Sequence, residues 1–288
     1  MVNKEFVCFL FCVCWQRGLL ISFYEMFMHR RLLPVLLSTF LMLSACSASD
    51  YDVLSTASIS RPKFKDNDPV DFGKRHPHQH DIHGVDVSKW NGAIDWKTAR
   101  KSGVSFAFIK ATEGADRVDS SFQENWRGAA AAGIPHGPYH FYYFCSTPEE
   151  QADWFIKTVP KSAVRLPPVL DAEWNPASPT CRLRPPPATV RAVLQRFMDR
   201  IEAHYGKRPI IYTTVDFHRE NLAGYFDKYH FWVRSTAVHP GETYSSRPWT
   251  FWQYTATGVI PGIDGNTDIN VFSGTQNSWK AWVASAGG

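Results

Sequence analysis

The 288-residue chain lacks several features that mark common classes of protein. No G-x-G-x-x-G motif or P-loop follows the first predicted strand, which argues against nucleotide binding. Its basic residues are scattered, so the net charge of +4 does not indicate a nucleic-acid binder, although it suits an anionic polymer substrate. Internal repeats and low-complexity blocks are also absent. Because 44% of the residues are hydrophobic, we expect a globular domain rather than a disordered chain.

Long apolar runs are also absent, because the apolar run near the N-terminus is short. The basic residues 28–31 precede fourteen mainly apolar residues, 32–45, which are too few to span a bilayer as a helix but match a secretory signal. The run ends in Leu-Ser-Ala-Cys46, which resembles a bacterial lipobox, whose cysteine is lipidated. An ordinary cleaved signal is the alternative. We predict a signal peptide over residues 1–46, in which residues 1–25 are an over-extended start or part of a longer membrane segment.

A lipidated Cys46 predicts a location in the cell envelope. Ser47 is not the aspartate associated with inner-membrane retention, so in a Gram-negative host we expect an anchor in the outer membrane, facing the periplasm. Residues 47–81 have no sustained periodicity and predict a flexible tether. About 35 flexible residues have an r.m.s. span of roughly 30–35 Å, which lets an anchored domain reach away from the membrane.

Four histidines cluster in and just after this tether: His76, His78, His80 and His83. Structural zinc sites usually draw their ligands from ordered, convergent elements. We therefore interpret the cluster as part of a solvated linker and predict no metal site.

Cysteine is scarce after Cys46, where only Cys145 and Cys181 remain. Both fall just beyond predicted strands, on loops that neighbouring strands can bring together. In an oxidising compartment two cysteines favour a disulfide, although the sequence leaves the pairing open. Its role would be structural, supporting the rim around Asp171.

Strands alternate with helices over residues 82–288, which we predict to be one catalytic domain. The predicted strands are 83–88, 105–111, 135–143, 168–173, 209–214, 230–234, 250–255 and 268–272. Helices are predicted over 94–102 and 120–132, after a capping box at 147–150, and from a Thr189 cap to Gly206. This alternation indicates a parallel sheet covered by helices, and eight strands fit a barrel better than an open sheet. Shorter spacers after the fifth strand predict irregular last turns.

Two carboxylates, Asp171 and Glu173, end the fourth predicted strand. Side chains alternate across a strand, so both point the same way. Mutual repulsion and partial burial raise one pKa, which leaves a protonated acid beside an ionised base, as glycosidic cleavage requires. For an isolated D-x-E, the simpler interpretation is one salt-bridged and one solvated carboxylate.

The carboxyl ends of the strands are where the chemistry of such a barrel gathers. Acidic residues also lie near the ends of the first and last strands, at Asp86 and Asp268. Other polar and aromatic residues near strand ends are Lys110, Glu113, Tyr139, His140, Tyr142, Tyr212, Trp232, Trp252, Gln253 and Tyr254. Any one of these is explained by capping or packing, but their joint placement indicates a site.

Seven motifs occur in order over residues 83–272: HGVDVSKWNGAIDW, FAFIKATEG, GPYHFY, PVLDAEW, PIIYT, FWQYT and GIDGNTDINVF. In these motifs the chain resembles the family 25 glycoside hydrolases, the Chalaropsis-type lysozymes. The resemblance implies an α/β fold, a modified TIM-type barrel of eight strands with fewer than eight helices. It also implies hydrolysis of the β-1,4 bond between N-acetylmuramic acid and N-acetylglucosamine in peptidoglycan, with no metal or other cofactor. We expect a monomer that binds peptidoglycan and no nucleic acid.

The resemblance also assigns roles to the acidic residues. Glu173 would be the general acid, and Asp171 would orient or polarise the substrate through its 2-acetamido group, which can itself attack the anomeric carbon. Asp86 and Asp268 match the other acidic positions and would act as base, nucleophile or electrostatic support. The expected substrate-binding residues are Tyr139, Tyr142, Tyr212, Trp252, Gln253, Lys110 and Glu113, with core packing as the alternative for the aromatic ones.

Two features depart from the family. Arg234 stands where a small residue is common, and it either contacts peptide-stem carboxylates or is solvated. A proline-rich insert, residues 176–188, narrows the expected groove. Two other functions fit parts of the sequence: a catalytically inactive peptidoglycan-binding barrel, and a chitinase-like glycosidase. The presence of all four acids disfavours the first, and the setting of Gln253 and Asp268 disfavours the second.

Overall fold

The computed structural model describes residues 62–163, 165–244 and 247–286. The predicted signal with Cys46, and residues 47–61 of the predicted tether, lie outside these residues. Within them, no helix combines the length and apolar character needed to cross a membrane.

Ten strands of the described chain form one sheet, and eight of them close into a barrel. The barrel strands are β2 (His83–Val87), β3 (Val104–Glu113), β5 (His136–Phe141), β6 (Val169–Ala172), β7 (Ile210–Thr213), β8 (Phe231–Arg234), β9 (Phe251–Val259) and β10 (Thr267–Phe272). They follow the order β9-β10-β2-β3-β5-β6-β7-β8, and pairing of β8 with β9 closes the ring. Two short strands, β1 (Lys65–Asp66) and β4 (Arg117–Val118), pair with β9 and β3.

Seven α-helices occur in the same residues: α1 (Trp96–Lys101), α2 (Phe122–Ala131), α3 (Pro148–Thr158), α4 (Pro187–Tyr205), α5 (Val215–Phe217), α6 (Pro240–Thr243) and α7 (Gln276–Ala286). Short 3-10 turns cover Gly73–Arg75, Pro77–Gln79, Lys89–Asn91 and Lys161–Ala163, and a π-helix covers His218–Leu222. The barrel of eight strands with fewer than eight helices is thus confirmed.

Local sequence signals explain where α3 begins and where α4 ends. α3 starts at the predicted capping box, in which the Glu150 carboxylate accepts a hydrogen bond from the Thr147 amide at 3.0 Å. α4 ends at Gly206, whose φ of 71° favours glycine. Its start differs from the prediction, because the helix begins at Pro187 and places Thr189 inside the first turn. Proline has no amide N–H, and the first residue of a helix does not need one for the hydrogen bonds of the helix. The helix can therefore start at Pro187.

Side chains of the barrel strands alternate between two layers. Those that face the axis near the amino ends form an aromatic plug, which consists mainly of Phe106, Phe108, Val169, Ile210, Trp232, Phe251 and Phe272. Trp279 of α7 covers it, with its ring 5.1 Å from that of Phe272. The alternate residues pack outward against the helices. Because the plug fills the amino end, the open end of the barrel is at the carboxyl ends.

The direction of β10 differs from the prediction of an all-parallel sheet. β10 runs antiparallel to β9 and to β2, and only residues 260–266 separate it from β9. A connection this short has no crossover helix and therefore returns the chain antiparallel. Asp268 consequently lies near the amino end of its strand, not the carboxyl end as predicted, and this places it at the same rim as the carboxyl ends of the parallel strands.

The predicted tether is wrong for residues 62–81, which pack against the barrel. The strand pair β1–β9 joins Lys65–Asp66 to the end of β9. Phe72 contacts the ring of Trp252 at 5.0 Å, edge to face, and His80 lies against the neighbouring Trp249 at 5.5 Å. The segment is ordered because its aromatic residues cover the outward tryptophans of the barrel.

Candidate active site

Four carboxylates meet at the open rim of the barrel. The antiparallel register places Asp86 of β2 opposite Asp268 of β10. Asp171 is the third residue of β6, and Glu173 follows the end of that strand on the same side. Their charges interact: Asp86 raises the pKa of each of the other three. The structure thus brings together the four acids that the sequence predicted.

A chain of hydrogen bonds inside the barrel holds Asp86. Its Oδ2 accepts hydrogen bonds from the Gln253 and Asn270 side-chain amides, both at 2.8 Å. Tyr212 donates to Gln253 at 3.0 Å, and the Trp232 indole donates to Asn270 at 2.7 Å. These donors favour the ionised form of Asp86, whereas burial raises its pKa to about 6. Asp86 is therefore fixed in position and ionised at neutral pH.

Burial also raises the pKa values of the other carboxyls. Burial raises the pKa of Glu173 to about 7, against the opposing effect of Arg234 and Lys110. The pKa of Asp171 lies well above its usual range because of burial and the charge of Glu173. Two close carboxyls of this kind titrate as a pair rather than independently.

Asp268 also has a strongly raised pKa. Burial, and then the charge of Asp86, raise its pKa to about 8. Arg234 has the opposite effect on the pKa values of Asp86, Glu173 and Asp268. The arginine that departs from the family pattern is therefore part of the charge balance of the site, not merely solvated.

One oxygen of Asp171 has no hydrogen-bond partner. Its Oδ1 is buried, and no donor in the described part of the chain reaches it. A buried acceptor without a partner costs about 1–3 kcal/mol, so such atoms in folded proteins call for an explanation. This open acceptor belongs to one of the four clustered carboxyls.

Three of the predicted groove residues face the barrel interior. Tyr212 and Gln253 belong to the Asp86 network. The pKa of Tyr139 is raised first by burial and then by the charges of Asp86 and Asp171, which places its ring beside both acids. These residues form the inner wall of the site.

Two other predicted groove residues face the opposite way. Trp252 is 0% exposed and Tyr142 is 2% exposed, and both lie in the layer between barrel and helices. Trp252 donates its indole N–H to the Ser235 carbonyl at 2.7 Å, and Tyr142 packs against Phe197. The prediction that Trp252 lines the sugar groove is wrong, whereas Tyr142 lines the cavity that contains Glu173. Since Gln253 faces inward, strand alternation requires its neighbour Trp252 to face outward.

Lys110 and Glu113 pair with each other at the rim. The Lys110 ammonium donates to the Glu113 carboxylate at 2.7 Å and lies 4.9 Å from the centroid of the Phe141 ring. Glu113 also accepts hydrogen bonds from the Tyr143 hydroxyl and, at 3.1 Å, from Arg117. The pair is satisfied internally and acts on the acids by its charges: Lys110 opposes the rise in the pKa of Glu173 and of Asp171, and Glu113 adds to the rise for Asp171.

The Cys145–Cys181 disulfide is present, with a Cα–Cα distance of 5.8 Å. It joins the loop after β5 to the insert between β6 and α4. The structural bond that the sequence left open is therefore confirmed, and it lies beside the rim that carries Glu173.

The histidines that precede the barrel do not form a metal site. His83 lies within hydrogen-bonding distance of the Tyr254 hydroxyl at 3.3 Å and of the His80 carbonyl at 3.0 Å. The His76 and His78 rings stack 4.5 Å apart. Across all described residues, no group of three or more His, Cys, Asp or Glu side chains could hold a metal ion.

Sequence reasoning missed Asn270 and Tyr143 as members of the site. Asn270 lies two residues after Asp268 and so shares its inward face, a period-two signal that was available in the sequence. Tyr143 follows the end of β5, and no periodicity in the sequence marks its contact with Glu113.

The sequence model of the glycosyl hydrolases family 25 matches residues 85–263. YegX of Escherichia coli K12 is 37% identical over 223 residues, which cover 74% of this chain and 77% of YegX. Lysozyme M1 of Streptomyces globisporus is 37% identical over 202 residues, which cover 67% of this chain and 68% of that protein. A family 25 glycosyl hydrolase from Bacillus anthracis superposes with a TM-score of 0.67 at 34% identity, covering 76% of this chain and 99% of its own.

The family match covers more than half of the chain and includes β2 to β9, which carry three of the four acids. Sequence, closed barrel and clustered carboxylates therefore agree. The chain belongs to the glycosyl hydrolases family 25 and is a glycoside hydrolase.

Proposed function

We propose that this enzyme is a muramidase, which hydrolyses the β-1,4 bond between N-acetylmuramic acid and N-acetylglucosamine in peptidoglycan. The lysozyme relatives support peptidoglycan as the substrate. The observation that carries the proposal is the unpartnered Oδ1 of Asp171 beside Glu173, whose pKa is about 7. An acetamido N–H supplies the donor that Asp171 lacks, and a protonated Glu173 supplies the acid.

The first step uses both carboxyls. When the acetamido N–H donates to Asp171, it favours the ionised form of Asp171, so Glu173 is the member of the pair that holds a proton. Glu173 gives this proton to the glycosidic oxygen as the bond to the anomeric carbon breaks. The acetamido carbonyl oxygen attacks that carbon from the opposite face of the sugar and so closes a second ring. Asp171 stabilises the positive charge on this second ring.

The second step reverses the role of Glu173. As a carboxylate, it removes a proton from a water molecule. The water oxygen attacks the anomeric carbon and opens the ring that the acetamido oxygen closed in the first step, which restores the acetamido group. The fixed negative charge of Asp86 supports the positive charge that develops on the sugar in both steps. Asp268, whose pKa is about 8, is protonated at neutral pH and donates a hydrogen bond to the sugar or to Asp86.

Mass spectrometry of digested peptidoglycan tests this function. The expected products carry muramic acid at the new reducing end, whereas a glucosaminidase leaves glucosamine there. Chitin oligosaccharides serve as the second substrate, because rapid cleavage of chitin and none of peptidoglycan would replace the proposal with a chitinase-like activity. Binding of peptidoglycan without any product would indicate the inactive barrel.

The charge of Arg234 should set the upper end of the pH range. A general acid must be protonated, so kcat/KM is expected to fall as pH rises through about 7, the pKa of Glu173. Arg234 lowers this pKa, so Arg234→Gln should raise it and move the alkaline limb to higher pH. Initial rates from pH 5 to 9 measure the shift, with Arg208→Gln as a control. A limb that moves to lower pH contradicts the assignment.

We also propose that the enzyme acts as a monomer held in the outer membrane by a lipid at Cys46. The support is the lipobox-like sequence that ends at this residue. Membrane fractionation tests the anchor, since Cys46→Ser should release the protein or block its processing. Wild-type protein found wholly in the soluble fraction would remove the anchor from the proposal.

A further inference from the structure

The insert between β6 and α4 forms a small cavity directly beside Glu173. The cavity is lined on the insert side by Glu173, Trp174, Asn175, Arg182, Leu183 and Arg184. Tyr142, Tyr143 and Phe144, which follow β5, complete the opposite wall. Arg182 and Arg184 therefore line the same small cavity as the glutamate proposed to cleave the substrate.

The insert holds a fixed shape. The disulfide attaches Cys181 to Cys145, and the Ser178 hydroxyl accepts hydrogen bonds from the amides of Thr180 at 3.3 Å and Cys181 at 3.0 Å. The Arg182 Nε donates to the Ser178 carbonyl at 2.7 Å. The backbone that carries the cavity is thus held in place before any ligand binds.

Trp174 provides a rigid platform for Arg184. Its indole N–H donates to the Glu220 carboxylate at 2.7 Å, and its ring packs against Phe217 at 4.7 Å and Phe144 at 5.4 Å. The Arg184 guanidinium lies 5.1 Å from the centroid of that ring. Stacking on an aromatic face holds a guanidinium while leaving its N–H groups free to bind a ligand.

Arg184 also has no carboxylate partner in the described part of the chain. Some other exposed arginines of the fold do have one, as Arg196 does with Glu149 and Arg219 with Asp216, at 2.7 and 3.2 Å. Arg182 likewise forms no ion pair there and contacts only the backbone. Two positive charges that line the same cavity as Glu173 are therefore available to an anion from the substrate.

We propose that Arg184, supported by Arg182, binds a carboxylate on the side branch of a muramic acid unit of the substrate. The inference rests on the muramidase function above and names the part of peptidoglycan that the insert recognises. A planar guanidinium matches a carboxylate through two parallel hydrogen bonds, which makes arginine suited to this ligand. The carboxylate has two sources: the free lactyl group of muramic acid, or the acidic peptide stem that is joined to it.

Three soluble substrates separate these sources: glycan strands with peptide stems, strands stripped to the free lactyl carboxylate, and stripped strands with that carboxyl converted to an amide. Arg184→Gln is expected to raise KM about three- to tenfold on strands with the recognised carboxylate, with kcat nearly unchanged. KM on the amidated strands should not change. Arg184→Lys keeps the positive charge but lacks the planar guanidinium, so it should recover part of the affinity for these strands that Arg184→Gln loses.

Arg208→Gln is the matched control, because Arg208 also stacks on an aromatic ring, that of Tyr229 at 5.8 Å, but precedes β7 at the other end of the barrel. A rise in KM confined to peptide-bearing strands supports the stem carboxylate, and a rise on stripped strands supports the lactyl one. Unchanged KM on all three substrates, or an equal rise with Arg208→Gln, overturns the subsite while the muramidase function stands. If the wild-type enzyme cleaves none of them, the proposed function itself fails.

Discussion

Glu173→Gln is expected to lower kcat on peptidoglycan by about 10²–10⁴, the usual effect of losing a general acid. Glutamine keeps the shape and hydrogen-bonding reach of Glu173 but has no proton for the glycosidic oxygen. Substrate binding should largely survive, so KM should change much less than kcat. Initial rates on soluble glycan strands measure both quantities.

A substrate with a good leaving group distinguishes proton delivery from other roles. An aryl glycoside needs little protonation, so it should partly restore the rate of Glu173→Gln. Glu124→Gln is a suitable control, because Glu124 is an exposed glutamate of α2. A Glu173→Gln enzyme that digests peptidoglycan at nearly the wild-type rate would assign the acid to another residue.

Asp171→Asn is expected to lower kcat by about 10²–10³, a loss typical of removing one electrostatic contact to the transition state. Asparagine is nearly the same size but has no negative charge to stabilise the positive ring formed from the acetamido group. Because Asp171 does not deliver the proton, an aryl leaving group should not restore the rate. This response separates Asp171→Asn from Glu173→Gln in the same assay.

A substrate without the N-acetyl group completes the test of Asp171. Wild-type enzyme should cleave it slowly. Asp171→Asn should then lower the rate only slightly further, since the partner of Asp171 is already absent. Asp264→Asn is the control, because Asp264 is an exposed aspartate in the turn before β10. An equal loss with both substrates would mean that Asp171 acts on something other than the acetamido group.

Period-two alternation accounts for much of what the sequence could predict. It placed Asp171 and Glu173 on one side of β6, and the structure confirms that both face the open rim. The same rule, if applied to β9, would have separated Trp252 from Gln253, whose amide reaches Asp86. The error over Trp252 arose because aromatic residues were assigned to the groove by type rather than by face.

Contacts between distant parts of the chain were not predictable in this way. The packing of Phe72 on Trp252 joins residues that are far apart in sequence, and a polar, aperiodic segment gives no local sign of it. The direction of β10 depends on the length of one connection, which the predicted strand boundaries did not resolve. Of the partners of Glu113, Tyr143 is 30 residues away, whereas Lys110 and Arg117 are near neighbours in sequence.

The raised pKa values at the rim have a consequence for folding. Burial raises the pKa values of Glu173 and Asp268 above those of an unfolded chain, so the folded state binds protons more tightly. Stability is then greatest when these carboxyls are protonated and declines as pH rises from the ordinary carboxyl range toward about 8. These carboxyls thus lower the free energy of unfolding at neutral pH, and the aromatic plug at the other end of the barrel must offset it.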